Sequence, residues 1–450
     1  MPVILATDIL IWLLVCAAAG FAWYCSTRPH LAAPWRKVFR SRAAVASGIF
    51  LVLYLGVGLL DSLHYRPALS STDPKARAVY GVEVHSLLDA ALASLRERQE
   101  RTYSAPLATR LYQKEQVEQP GGASVREFPR LRYGGAHLEG EADAPKDIAL
   151  RALAGLAFGI LAWAAIFAAT RRPLRRRRPD IPWDAAFAAL AVLLALAGPV
   201  AALATHYHVL GTDKIGQDVL YQALKSIRTS LVIGTLTTLV LLPLGIAAGI
   251  AAGYFRGWVD DVIQYVYTTI NSIPGVLLIA ASVLMVQVYV DGNPSLFPTS
   301  AQRSDFRLLM LCAILGAVSW TGLARLLRGE ALKISQLEYI QAAHAFGVSH
   351  GRVLLRHILP NVVHIVIITV VLEFSTLVLA EAVLSYIGVG VDPSTTSFGT
   401  MINAARLEMA REPMVWWSLG TAFVFMFVLV LAANLFADAV RDGFDPRVRV

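Results

Sequence analysis

The sequence predicts an all-α polytopic membrane protein with a small external α+β insert, and three observations carry that prediction. Of the 450 residues, 56% are hydrophobic and 16% are charged, against roughly a quarter charged in an ordinary soluble domain. The mean hydropathy is +0.56. Apolar runs long enough to cross a bilayer, about 20 residues each, recur near 4–25, 43–61, 149–170, 182–205, 229–254, 262–290, 307–327, 361–390 and 415–437. The last six, spans four to nine, form one dense block. The first three stand apart from it.

Basic residues fall in every second loop. Arg28, Arg36, Lys37, Arg40 and Arg42 separate spans one and two; Arg171, Arg172, Arg175, Arg176, Arg177 and Arg178 separate three and four. Arg325, Arg328, Lys333, Arg352 and Arg356 separate seven and eight, and Arg441, Arg447 and Arg449 end the chain. By the positive-inside rule these loops and the C-terminus face the cytoplasm and the N-terminus faces out. The net charge of +8 is therefore a loop charge rather than a basic soluble face, which argues against nucleic acid as a partner. The first run follows MPVILATD, which has no Lys or Arg, and so reads as a span rather than a secretory signal. Pro173 and Pro179 bracket the six-arginine run and predict a stiff connector in place of helix. That run reads first as a topology anchor, and alternatively as a site for anionic membrane lipid.

Residues 62–148 are polar and, by this topology, external. A helix is predicted over Val82–Arg101, with Leu87, Leu88, Ala91, Leu92 and Leu95 on one face. Turns are predicted at Pro120-Gly121-Gly122 and Gly134-Gly135, and short strands at Ser124–Phe128 and Leu131–Tyr133. So small a segment depends on docking against the membrane block. His85 and His137 stand alone and read as surface or capping residues. Cys16, Cys25 and Cys312 have neither disulfide nor zinc spacing and read as packing residues, so no metal is expected. No phosphate loop, zinc-hydrolase or serine-hydrolase motif occurs, so neither an enzyme nor a cofactor is expected.

The richest segment lies between spans seven and eight. Leu337 to Gly347 reads LEYIQAAHAFG, and Gly351 to Asn361 reads GRVLLRHILPN. The first stretch predicts a short amphipathic surface helix. Ala342 and Ala343 permit close approach by another protein, Gly347 permits a sharp exit, and Pro360 suits the first turn of the next helix. An ordinary interfacial helix is the plainer reading. The stretch resembles the EAA loop of ABC importer permeases, and HILPN resembles the dipeptide/oligopeptide branch of that family. GTDKIGQDV at 211–219, AGYFRGWVD at 252–260, AEAVLSYIGVGV at 380–391, and NLFADAVRD at 434–442 with Asp445-Pro446-Arg447 extend the resemblance over about 181–450. Two departures stand out. Gln341 occupies the position of the motif's usual Glu, and Gln217 that of an Arg, so each removes a charge.

The resemblance implies a six-helix permease core at 181–450 whose coupling loop, 328–360, docks on an ATPase. The coupling residues would be Glu338, Gln341, Ala342, Ala343, Gly347 and Arg352. Gly211, Thr212, Asp213, Gly216 and Asp218 would form an outer loop or gate. Before the core come two extra spans (1–61), the insert (62–148), and a third extra span with a basic linker (149–180). The implied partners are a second homologous permease subunit, two ATPase subunits and an external solute-binding protein. Peptide is the leading cargo, with nickel, opines or other small solutes behind it.

Four residues are candidates for the translocation path. Asn271 and Pro274 sit where the family also has Pro-Gly, but the family's nearby Asp corresponds to Thr268. A proline there frees a carbonyl and loosens the helix, and a plain structural kink is the competing reading. Glu373 and Glu381 are carboxylates inside span eight, where charge is costly unless it meets a partner or a wet cavity. Glu381 matches the family and Glu373 does not; for Glu381 a structural role is the leading reading and a path role the alternative. Two other classes stay open: a channel or exporter without ATPases, and a sensor or scaffold whose permease core is vestigial.

Overall fold

The computed structural model describes residues 1–69, 79–81, 83–118 and 124–444. Among them, nine helices are long and apolar enough to cross a membrane: Ala6–Thr27, Arg42–Asp61, Ala144–Arg177, Trp183–Ala204, Val219–Phe255, Gly275–Gly292, Ser300–Ile334, His350–Ile387 and Trp417–Phe444. They correspond in order to the nine apolar runs. The residues divide into two compact units that interleave in sequence, one of 1–4, 39–230 and 395–435, the other of 5–38, 231–394 and 436–450.

In the first unit, spans three and four form a tight antiparallel pair. A Cβ on Gly155 would stand 2.5 Å from the Gly198 carbonyl oxygen, and one on Gly159 would stand 2.3 Å from that of Leu194. Only glycine lets the two backbones approach this far. The Trp163 indole N–H, donating to the Phe187 carbonyl at 2.8 Å, fixes the register. The insert packs in this unit too. His64–Tyr65 pairs antiparallel with Pro2–Val3 on one side and His85–Ser86 on the other, and Glu115–Glu118 pairs with Ser124–Glu127.

In the second unit, Asp305 of span seven caps span one by accepting from the Ala6 amide at 2.8 Å and from the Thr7 hydroxyl. Such a side-chain acceptor satisfies amide groups that a helix start leaves unpaired. Gly245, Gly249 and Gly253 make a second stripe of close approach, with Cβ positions that would fall 2.5–2.9 Å from Leu323, Ala324 and Arg328. A core of Leu241, Leu323, Leu327, Ile334, Ile340 and Ile358 runs beneath it.

Four expectations need correction. The sixth apolar run is two helices, Gly257–Ser272 and Gly275–Gly292, with Ile273 extended between them (φ −93°, ψ 131°). Pro274 forces that conformation on the residue before it and starts the second helix instead of kinking one. The arginine run is helical as far as Arg177, with Pro173 inside. Only a few residues follow that proline, and arginine is a good helix former; Pro179 marks the stop. The insert has two short helices, Leu87–Ala91 and Ala93–Glu97, because a Ser86–Asp89 capping box sets the start and the preceding pair is committed to strand. Val82 lies outside the described residues, as do Pro120-Gly121-Gly122 and Asp445-Pro446-Arg447. Leu131–Tyr133 forms no strand, since the Arg132 and Tyr133 amides donate to the Glu100 carboxylate at 2.9 and 2.8 Å. The turn at Gly134-Gly135 is present, with Gly135 at φ +68°.

Replacing Gly155 with Leu should force spans three and four apart. The expected outcome is a several-fold loss of monodisperse protein in detergent by fluorescence-detected size exclusion, while Gly56→Leu, at a position with nothing within 4 Å, elutes like the parent.

Candidate functional site

The segment between spans seven and eight is built to present one face and bury the other. Glu338–Ala345 is a helix, and its Ile340 is fully buried in the core with Val353 and Ile358 of the following turn. The opposite face is open: Glu338, Gln341 and Ala342 are exposed, as is Arg352 in the next helix, and Phe346 is 87% exposed. Ala343 turns inward and packs against the core. Gly347 adopts φ +73°, and its amide donates to the His344 carbonyl at 2.9 Å while Val348 donates to Ala343 at 3.0 Å. A Cβ there would meet nothing, so glycine is required for its backbone conformation alone.

Two ties hold this segment to the end of span five, at Tyr254 and Arg256, and a third joins span seven to the helix Gly257–Ser272. The Tyr254 hydroxyl lies 3.0 Å from His344 Nε2 and 2.8 Å from His350 Nδ1. Arg256 donates to the Ser335 hydroxyl at 2.9 Å. Arg328 grips Asp260 through two 2.6 Å bonds, the bidentate geometry that makes such pairs strong. Gln341 donates its amide N–H to the Gln336 carbonyl at 3.2 Å, a bond that a glutamate could not donate. Leu359 donates to Leu354, five residues back, in a π-turn over Leu354–Ile358. The turn accommodates Pro360, which has no amide to offer the preceding turn.

The second site is the 205–218 loop, which the insert clamps. The Thr212 amide donates to the Ser104 carbonyl at 3.1 Å and the Ser104 amide to the Thr212 hydroxyl at 2.7 Å, and the Glu100 backbone amide donates to the Gly216 carbonyl at 3.0 Å. A Cβ on Gly216 would sit 1.9 Å from the Glu100 carbonyl oxygen, and one on Gly211 would sit 2.5 Å from that of Ser104. Both glycines also have positive φ, +78° and +74°. Asp213 closes the turn by accepting from the Ile215 and Gln217 amides at 3.0 and 2.8 Å; burial pushes its carboxyl up.

At the centre lies His208, buried and flanked by two buried carboxylates. Its Nδ1 is 2.8 Å from Asp218 and its Nε2 is 3.5 Å from Glu100, at ion-pair range. Burial alone would lower its pKa, but the bond to Asp218 and the Glu100 carboxylate outweigh it and raise the value to about 9. Asp218 also accepts from the Leu220 amide at 2.8 Å, starting span five. Nearby, Lys225 bridges Asp61, at the end of span two, and Asp89 of the insert at 2.8 and 3.0 Å. Burial opposes ionisation of Asp89, yet the lysine and the Tyr221 hydroxyl hold its pKa at about 2.

The path candidates separate. Asn271 and Pro274 are exposed on the surface of the chain, with Asn271 accepting from Thr321 at 3.2 Å. Glu381 is fully buried and accepts from the Ser385 hydroxyl at 2.7 Å, one turn on. Glu373 is half-buried.

The family profile described as the binding-protein-dependent transport system inner membrane component matches residues 245–450. The oligopeptide transport system permease protein OppC of Mycobacterium bovis is 31% identical over 242 residues, covering 54% of this chain and 77% of its own. The chain belongs to this permease family. The glutathione transport system permease protein GsiD of Pectobacterium atrosepticum is also 31% identical, over 54% of this chain and 73% of its own. The dipeptide transport system permease protein DppC of Lactococcus lactis is 29% identical over 53% and 64%. Among solved structures, the MetNI methionine ABC transporter in an inward-facing form covers 50% of this chain at 16% identity, with a TM-score of 0.38. As a family member the chain is a multi-pass inner-membrane permease subunit of an ABC importer.

Within the permease, Tyr254, Glu100, His208 and Lys225 are the residues that sequence reasoning missed. Tyr254 lay inside a quoted motif without a role. His208 and Glu100 are far apart in sequence, and no local pattern joins them.

His208→Gln should release the insert from the loop by leaving Glu100 and Asp218 buried and uncompensated, a loss of roughly 3–5 kcal/mol of local stability. Because the folded pKa is raised, the parent's tie is complete below about 6.5 and is lost as pH rises through about 9. Limited proteolysis of the insert should therefore accelerate between pH 7 and pH 10 in the parent and be fast at both in the variant. A flat parent profile would refute the tie.

Proposed function

We propose that the chain is the permease subunit of a binding-protein-dependent importer for peptides, working by alternating access driven by separate ATPases. The observation that carries this reading is the Glu338–Gly347 segment. It buries Ile340 in the core and offers an exposed face of Gln341, Ala342 and Phe346, as a helix that transmits force from a docked ATPase must. The named functions of OppC and DppC support peptide as the cargo. The partners proposed are two ATPase subunits, a second homologous permease subunit and an external solute-binding protein. Coupling runs through Glu338, Gln341, Ala342, Ala343, Gly347 and Arg352, with Tyr254 and the Asp260–Arg328 pair relaying movement to spans five and seven. The core occupies 181–450; 1–61 and 149–180 supply three added spans, and 62–148 is an external insert that braces the gate loop of Gly211, Thr212, Asp213, Gly216 and Asp218. Asn271, Pro274 and Glu373 are proposed to face the path, and Glu381 to act mainly in packing.

Gly347→Val tests the coupling. A β-branched residue cannot hold φ +73° without strain, while the open space around the position spares the fold. Membrane abundance should match the parent, with peptide uptake lost and ATPase subunits depleted in a detergent pull-down. Uptake at parental level would rule the coupling assignment out.

Topology is tested by single cysteines in a background lacking Cys16, Cys25 and Cys312. Glu83→Cys and Val125→Cys, both at exposed positions, should react with an impermeant maleimide added to intact cells given outer-membrane access. Phe346→Cys should react only after lysis. The opposite pattern would invert the orientation.

A further inference from the structure

Arginines at the start of span two and the end of span three, with the start of span four, border an open cleft of about 360 Å³, within the usual range for small-ligand sites. Arg40 and Arg42 border it from the start of span two, Arg175 from the end of span three, and Trp183 and Asp184 from the start of span four, with the Pro179–Pro182 turn as its floor. We propose that this cleft seats the phosphate of an anionic phospholipid headgroup.

Four features point to that ligand. Span two starts at Arg42 and span four at Trp183, so two helix N-termini bring the partial positive charge of their macrodipoles to the same cleft. Arg42 is exposed and makes no ion pair among the described residues. Arg40 and Arg175 are paired with Asp180 at 3.3 Å and Asp184 at 2.6 Å, but all four side chains are 45–76% exposed. Exposed pairs of this kind are weakly held; the carboxylates position the guanidinium groups and can yield them to phosphate, which accepts bidentate donation. Finally, the site lies where three membrane helices begin or end, the depth at which headgroups lie, and the Trp183 ring sits there with its N–H donated to the Arg178 carbonyl at 2.9 Å. An amphipathic indole at that level is the usual marker of the bilayer boundary. Arg176 and Arg177 are exposed and adjacent but do not line the cleft, which separates a built seat from a diffuse basic patch.

The test uses the full chain purified in detergent containing equal amounts of phosphatidylglycerol and phosphatidylcholine, with the retained lipids quantified by mass spectrometry. The parent should enrich phosphatidylglycerol about threefold or more, as expected when several basic groups meet one anionic headgroup. Arg42→Gln with Arg175→Gln should return the ratio to that of the mixture, while Arg176→Gln with Arg177→Gln, which removes the same charge, should keep the enrichment. Equal loss in both double variants, or no enrichment in the parent, would overturn the seat. Inorganic phosphate added at constant ionic strength should leave the enrichment intact; if it abolishes it, the ligand is a soluble phosphate and the lipid assignment fails. Should the first variant not elute as a single species, Arg42→Lys with Arg175→Lys replaces it. Lysine keeps the charge but not the planar fork, so at least a partial loss is expected and full enrichment counts against the seat.

Discussion

A histidine held between two buried carboxylates ties the insert to the permease. The described residues of 62–143 form short helices and two- or three-stranded pairings, too little to bury a core of their own. Their order comes from outside. His208 meets Glu100 of the insert and Asp218 of the loop, and the same Glu100 accepts three amides from Arg132, Tyr133 and Gly134. Although burial opposes it, those bonds and the histidine hold its carboxyl below the usual range. One charge cluster thus orders two distant parts of the insert and fixes them to the start of span five. Lys225, between Asp61 and Asp89, adds a second tie to the end of span two.

This bracing gives the glycines of the 211–218 loop a physical reason. As a sequence, GTDKIGQDV is only a resemblance. In the structure Gly211 and Gly216 lie against carbonyl oxygens of Ser104 and Glu100 at distances no Cβ allows. Their positive φ would alone favour glycine; the contacts make it obligatory here. A loop so held cannot move without its brace, so any displacement of the loop carries the insert with it.

The spans were legible in the sequence because bilayer crossing imposes a length and a composition that need no partner. So was the surface helix after span seven, whose amphipathic pattern and terminal glycine are local signals. What escaped was decided by tertiary context. Leu131–Tyr133 has strand character, yet its amides go to Glu100. The arginine run carries two prolines, yet the momentum of a long helix takes it past the first. The sixth run is apolar throughout, and only the geometry before Pro274 divides it. Glu100 and His208 were unreadable because their pairing spans more than a hundred residues and matches no spacing rule.

The two carboxylates of span eight show how burial sorts residues that composition leaves equal. Both are costly in an apolar surround. Glu381 is enclosed, one helical turn from Ser385, whose hydroxyl also approaches the Val391 amide at 3.4 Å. Gly390 lies against the same serine so closely that a Cβ would collide with it. Together with Gly388, which ends the helix at φ +88°, these residues form a polar knot at the end of span eight, which explains why AEAVLSYIGVGV carries a carboxylate, a serine and two glycines together. Glu373, two helical turns earlier and half-buried, belongs to no such knot. Among the described residues no hydrogen bond or ion pair holds its carboxylate, so the same residue type in the same helix is enclosed and bonded at one position and left half-open at the other.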